Sequence, residues 1–207
     1  DPAAGLLRIT WSSGVGPLGS GRGGGPGTLV VSTSAGNVWP EAEQVHLVPW
    51  ARNEHGALTG LKTTSYAENA MALAAAHRAG CSEALFRNTA GMLCEGTGTN
   101  VFLVIGGRLV TPALSSGCLA GVTRGLVLEL ADNGPLSESL AGVEVRDVDP
   151  GELATAEEAF LTSATRNVSA IRVVTGELEA TFDPAPGPVT ARVSAAFDEL
   201  EATTPDP

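Results

Sequence analysis

"EALFRNTAGMLCEGTGTNVFLVIGGRLVTP", residues 83–112, decides the fold of this 207-residue chain. It holds four short runs rich in apolar, β-branched and aromatic residues: 83–88, 92–96, 100–105 and 108–112. Thr89-Ala90-Gly91 and Gly106-Gly107 punctuate them as turns. The pattern predicts a β-meander. Downstream, "EAFLTSATRNVSAIRVV" (158–174) predicts a strand, a polar turn and a second strand; upstream, "LLRITW" (6–11) and "TLVVS" (28–32) predict two more. Helices are expected at three places. After Lys62, Ala67, Ala70, Met71, Ala74 and Ala75 recur at helical spacing, with Ser65 and Glu68 spaced as a capping box and Gly80 as the stop. "GVTRGLVLELA" begins a second helix at Gly121, and "PVTARVSAAFDELEA" (188–202) is a third, followed by a tail around Pro205. Residues 39–60 read as irregular. The whole is an α+β pattern.

Composition narrows the function. The formal charge of −11 argues against a nucleic-acid or anionic-membrane surface, since both need clustered Lys/Arg. No apolar run approaches the roughly 20 residues of a membrane span. Cys81, Cys94 and Cys118 are odd in number and make no C-x-x-C pair, and His46, His55 and His77 are scattered. This favours reduced thiols in a cytoplasmic protein with no metal site. The glycine-rich "SSGVGPLGSGRGGGPG" (12–27) lacks the G-K-[ST] ending of a phosphate loop and precedes a strand, so it reads as a connection. No signal peptide is visible, although the sequence starts at Asp1 rather than Met.

Four features can carry chemistry. Lys62 is the single lysine in the chain. A lysine can form a Schiff base with a carbonyl, which arginine cannot; the plain alternative is a surface amine. Glu95 ends a run and precedes "GTGTN", where glycines let a bulky ligand approach the backbone. Its carboxylate suits a heteroaromatic nitrogen, or it is a solvated strand end. Gly121-Val122-Thr123 opens a helix whose free N–H groups and Thr123 hydroxyl suit a phosphate, or form an ordinary cap. "TSATRN" (162–167) is a hydroxyl-rich turn that either closes on the same anion or satisfies itself. Amine, carboxylate and anion site are the set that pyridoxal phosphate requires.

From Lys62 through "CEGTGTNVFLV" and "TPALSSGCLAGVTR" to "EEAFLTSATRN", the sequence resembles the class IV pyridoxal-phosphate enzymes of fold type IV. These include branched-chain aminotransferases, D-amino-acid aminotransferases and 4-amino-4-deoxychorismate lyases. The resemblance implies a large domain of mixed sheets forming a pseudo-barrel with flanking helices, expected over 36–207. Residues 1–35 are expected to be a remnant of the small amino-terminal domain, which is otherwise absent, so the chain is expected to be part of a longer protein. By the same resemblance Lys62 binds the cofactor covalently and moves the α-proton, Glu95 holds the ring nitrogen, and Leu119 packs on the ring. Val122 and Thr123 bind the phosphate, and Ser163 and Ala164 form the second phosphate and substrate-carboxylate turn. A small-molecule amino substrate and a homodimer are implied.

Two departures stand out. Ala164 replaces the threonine usual in the aminotransferases, which moves or removes one phosphate hydrogen bond. The absent domain supplies a phosphate-binding arginine in the family. Branched-chain aminotransferases place a tyrosine five residues after the lysine, whereas Tyr66 is at the fourth position, where the lyase type carries arginine. The expectation therefore leans to aminodeoxychorismate lyase, which makes 4-aminobenzoate and pyruvate. The alternatives are a branched-chain or D-amino-acid aminotransferase and, from another class, a non-catalytic dimerisation or binding domain that retains the fold.

Overall fold

The computed structural model describes residues 5–204; Pro205 and the end of the expected tail lie outside them. Two compact units are present, 1–38 and 39–207. In the first, β1 (Leu6–Ser12) pairs antiparallel with β2 (Thr28–Ser34), Ile9 opposite Val31, and the exposed glycine-rich stretch joins them.

The second unit is built on β3 (Ala42–Arg52), β4 (Glu83–Asn88), β5 (Leu93–Gly96), β6 (Asn100–Ile105), β7 (Arg108–Pro112), β8 (Gly142–Arg146), β9 (Glu158–Ser163), β10 (Asn167–Gly176) and β11 (Ala180–Thr181). They form one nine-stranded mixed sheet in the order β5-β4-β3-β10-β9-β6-β7-β8, with β11 on β10. Its helices are α1 (Ala67–Arg78), α2 (Val122–Asp132) and α3 (Pro188–Thr203).

Strand β3 corrects the reading of 39–60 as irregular. It is central, parallel to both β10 and β4. Pro49 disguised it: proline donates no ladder hydrogen bond, and the β3–β4 register shifts between Leu47 and Ala51. The expected meander is also corrected. β4–β5 and β6–β7 are antiparallel hairpins, but β6 pairs with β9 instead of β5, so the hairpins lie in different parts of the sheet.

Both faces are buried, which is why the strands read as continuous apolar runs. Val101, Leu103, Val110 and Leu161 enter one core; their neighbours Phe102, Val104, Leu109 and Phe160 enter another, under α2 and α3. Phe102 and Phe160 face each other in register with ring centroids 5.0 Å apart, each burial contributing about 1.5–3 kcal/mol.

Two expectations about α1 are also revised. Ala72 and Ala76 face the sheet; of the expected Ala67, Ala70, Met71, Ala74 and Ala75 only Ala75 packs partly beside them, and Met71 is 61% exposed. Alanine occurs all round this helix, so spacing alone does not select a face. The Ser65–Glu68 capping box is absent: Tyr66 is the N-cap without a side-chain bond, and Glu68 accepts from Arg52 Nη1 at 2.5 Å. The C-terminal stop is as expected. Gly80, at φ +79°, donates to His77 O, and Cys81 N donates to Ala76 O, a Schellman closure.

Candidate active site

Sheet register gathers the site. Because β6 runs antiparallel to β9, Asn100 lies opposite Thr162, so the loop entering β6 meets the turn leaving β9. Strand β7 returns beside β6, with Thr111 Oγ1 donating to Val101 O at 2.8 Å, and delivers 113–121 to the same end. There Asn100 Nδ2 donates to Leu119 O at 2.8 Å. A Cβ on Gly121 would sit 2.2 Å from Asn100 Oδ1, so only glycine lets α2 begin this close to β6.

A cavity of about 490 Å³ opens at this end, within the range of about 300–1,000 Å³ usual for small-molecule sites. Lys62, Glu95, Leu119, Val122, Thr123, Ser163 and Ala164 all line it. Lys62 is exposed, and its Nζ donates to Tyr66 Oη at 3.2 Å. Glu95 Oε2 accepts from Leu119 N at 2.9 Å, while Oε1 is 3.5 Å from Arg52 Nε. Burial pushes the Glu95 carboxyl above its ordinary range; the Leu119 N–H, Arg52 and Lys62 pull the other way. N-cap Gly121 leaves the first turn of α2 without a side-chain cap, so its N–H groups remain available to an anion. Ser163 Oγ accepts from Arg166 N at 3.2 Å and lies 3.4 Å from Thr165 Oγ1, so the turn keeps two hydroxyls although Ala164 has none.

Thr97 and Thr162, which fall within the stretches "GTGTN" and "TSATRN", line the cavity too, while sequence reasoning missed Arg52 and Asn69, which also line it. Arg52 stacks on Phe86 at 4.3 Å and donates to Asn69 Oδ1 at 2.9 Å, and its Nε and Nη2 are buried without a hydrogen-bond partner. Thr162 Oγ1 is likewise buried and unpartnered. Arg52 was hidden with its strand. Cys94 and Cys118 lie buried near Glu95, where burial raises both thiols and keeps them protonated.

The chain belongs to the amino-transferase class IV family, whose model matches residues 1–174. It is 38% identical over 118 residues to a Thermotoga maritima protein assigned as a branched-chain-amino-acid aminotransferase, covering 57% of this chain and 41% of that protein. It is 32% identical over 136 residues to the branched-chain-amino-acid aminotransferase of Pseudomonas aeruginosa, covering 66% and 42%. The matched stretch thus spans about two fifths of these relatives' length. Among solved structures, the branched-chain aminotransferase of Thermobaculum terrenum in its PLP form matches with a TM-score of 0.74 and 29% identity, over 84% of this chain and 57% of that one. A Legionella pneumophila protein assigned as 4-amino-4-deoxychorismate lyase matches with a TM-score of 0.83 and 21% identity, over 93% and 69%. The fold is fold type IV. No helix among the described residues is long and apolar enough to cross a membrane.

Proposed function

We infer that this chain is the large domain of a pyridoxal-phosphate enzyme that removes a proton from the carbon bearing a substrate's amine, with residues 1–38 as the last strands of a smaller domain. The observation that carries the reading is the convergence of the single lysine, a half-buried carboxylate and an uncapped helix N-terminus on one cavity. The residues fit the cofactor. Thr162 Oγ1 and the Nε and Nη2 of Arg52 are buried polar atoms in the cavity wall with no hydrogen-bond partner among the described residues, and such atoms favour a polar ligand.

Lys62 would hold the cofactor through Nζ. Val122 and Thr123 N–H groups, the Thr123 hydroxyl and the Ser163 turn would hold its phosphate, Leu119 would cover one ring face, and Glu95 would face the ring nitrogen. Pyridoxal phosphate, when bound, accepts the electron pair left on the substrate carbon as the proton departs. Glu95 is suited to hold a proton at the ring nitrogen: burial destabilises its lone charge, and a cationic partner restores it. The Leu119 N–H, at 2.9 Å, fixes the carboxylate's orientation, and Arg52 Nε stands 3.5 Å from its other oxygen. Lys62 Nζ would be the group that takes the proton, with the Tyr66 hydroxyl, 3.2 Å away, holding the lysine amine in place.

The sequence relatives favour amino transfer from a branched-chain amino acid. A second reading, elimination from aminodeoxychorismate, is favoured by Tyr66 standing four residues after Lys62. A small amino substrate and a homodimer belong to either reading. The test begins with a visible spectrum after adding pyridoxal phosphate, then borohydride reduction and peptide mapping. Label on Lys62 supports the site, and label confined to the terminal amine overturns it. Pyruvate from aminodeoxychorismate, against keto acid from leucine or D-alanine with 2-oxoglutarate, separates the reactions. Folded, dimeric protein that takes no label at Lys62 would instead support a non-catalytic dimerisation domain.

A further inference from the structure

Behind the cavity lies a buried ion network that none of the roles above uses. Arg166 Nη1 donates to Glu43 Oε1 at 2.6 Å, and its Nη2 is 3.5 Å from Glu83 Oε2. Trp39 covers the guanidinium at 3.8 Å from the ring centroid. Glu43 also accepts from Ser169 Oγ at 3.0 Å and from Ser82 Oγ. Glu43 is 0% exposed and Glu83 2%, so a single arginine serves two buried carboxylates. None of Trp39, Glu43, Glu83 and Arg166 lines the cavity.

Burying ions costs several kcal/mol each, and apolar residues of equal volume often stabilise a core as well or better. Position is what such a network can add, and both its ends terminate on cavity walls. At one end, Arg166 N donates to Ser163 Oγ at 3.2 Å and Trp39 Nε1 to Thr165 O at 2.7 Å, fixing the turn after β9. At the other, Glu83 Oε1 accepts from Thr97 N at 3.1 Å and Thr97 Oγ1 at 2.5 Å, and Oε2 from Thr99 Oγ1 at 3.4 Å, fixing the loop after Glu95. The two walls are far apart in sequence; beyond the strand pairing of Asn100 with Thr162, they are tied through one guanidinium.

We propose that Trp39, Glu43, Glu83 and Arg166 are positioning residues that couple loop 97–99 to turn 163–166, and thereby set the spacing of the cavity walls that grip the cofactor. One arm of the planar fork bonds the Glu43 carboxylate while the other, donating to Ser82 O at 3.4 Å, stands 3.5 Å from Glu83 Oε2, a fixed arrangement that an ammonium does not reproduce. The consequence for ligand affinity rests on the pyridoxal-phosphate reading; the coupling does not.

Three variants test it in the full chain. Trp39→Phe keeps the ring over Arg166 and removes only the N–H to Thr165 O. Arg166→Lys keeps the charge and loses the fork. Glu83→Gln keeps the shape and neutralises one end. Amide hydrogen exchange without ligand, the melting temperature, and the dissociation constant for pyridoxal phosphate are read for each. Each variant is expected to speed exchange in both segments, including the one it does not touch. Affinity should fall about tenfold in Arg166→Lys and about threefold to fivefold in Trp39→Phe, the scale of one or two hydrogen bonds, with Lys62 still carrying the reducible label. Faster exchange in the touched segment alone, or affinities within twofold of wild type, overturns the proposal. Should Arg166→Lys fail to fold, Trp39→Phe and Glu83→Gln decide by the same criteria. Wild type that takes no label on Lys62 sinks the cofactor reading, while the exchange data still decide the coupling.

Discussion

Lys62 and Glu95 sit in opposite environments, and their variants report different things. Lys62 is exposed at the end of a loop, so Lys62→Ala should leave stability unchanged. It should abolish the borohydride-stable label on its peptide and lower turnover by at least about 10²–10⁴-fold, the usual worth of a positioned base. Peptide mass mapping and steady-state rates check both. Glu95 is destabilised by burial, and the sign follows from its raised value. The folded state binds that proton more tightly than the unfolded chain, whose carboxyl titrates near the ordinary 4.5. Stability is therefore lost as pH rises from there through the folded value. In the ligand-free protein, the Tm of Glu95→Gln should rise relative to that of wild type as pH goes from 4 to 8. A Tm difference independent of pH counts against a raised Glu95. Both residues were legible because each is an unusual residue type in its place: the lone lysine, and an acid before paired glycines. Arg52 was not, because its placement depends on which strands pair.

Elements were legible wherever a segment carried its own punctuation. The β6–β7 hairpin needed only Gly106-Gly107 between apolar runs, and the end of α1 needed only Gly80. Strand β3 failed the same test, since its two parallel partners lie at 83–88 and 167–176 and nothing local marks them. The capping box failed because Arg52, brought over by that unseen strand, takes the Glu68 carboxylate. Ser65→Ala should then cost less than about 0.5 kcal/mol, where loss of a true cap costs about 1 kcal/mol; urea unfolding distinguishes them. The start of α2 is more demanding. In Gly121→Ala the new Cβ falls on Asn100 Oδ1, so the helix start or the Asn100–Leu119 bond must shift. Pyridoxal phosphate affinity should weaken by about tenfold, roughly one well-placed hydrogen bond. Titration with unchanged affinity would place the anion elsewhere.

At the scale of the whole molecule, the acidic balance and a few placed carboxylates set the response to pH. A net charge of −11 repels itself at neutrality, and that repulsion fades towards the pI of about 4.6. Below it, carboxyls with lowered values take over. Glu54 is held at about 2, chiefly by the Thr89 N–H, at 2.9 Å, and also by the Thr89 hydroxyl, at 2.8 Å. Glu152 is lowered chiefly by its hydrogen bonds from Arg146, at 2.7 and 2.9 Å. Each contributes stability that is fully present above the unfolded value and lost as pH falls through the folded one. For Glu54 that window runs from about 4.5 down to about 2. Glu54→Gln keeps an acceptor but not the charge, so it should melt lower than wild type at pH 5–7. It should then lose less on acidification, and the two Tm curves should converge near pH 2. Curves that stay parallel from pH 7 to pH 2 would show that Glu54 does not titrate low. Glu54 also ties the start of the loop to Lys62 onto the turn after β4. Faster amide exchange over 53–61 in the variant at pH 6, closing on wild type below pH 3, would show that the same carboxylate anchors the lysine loop.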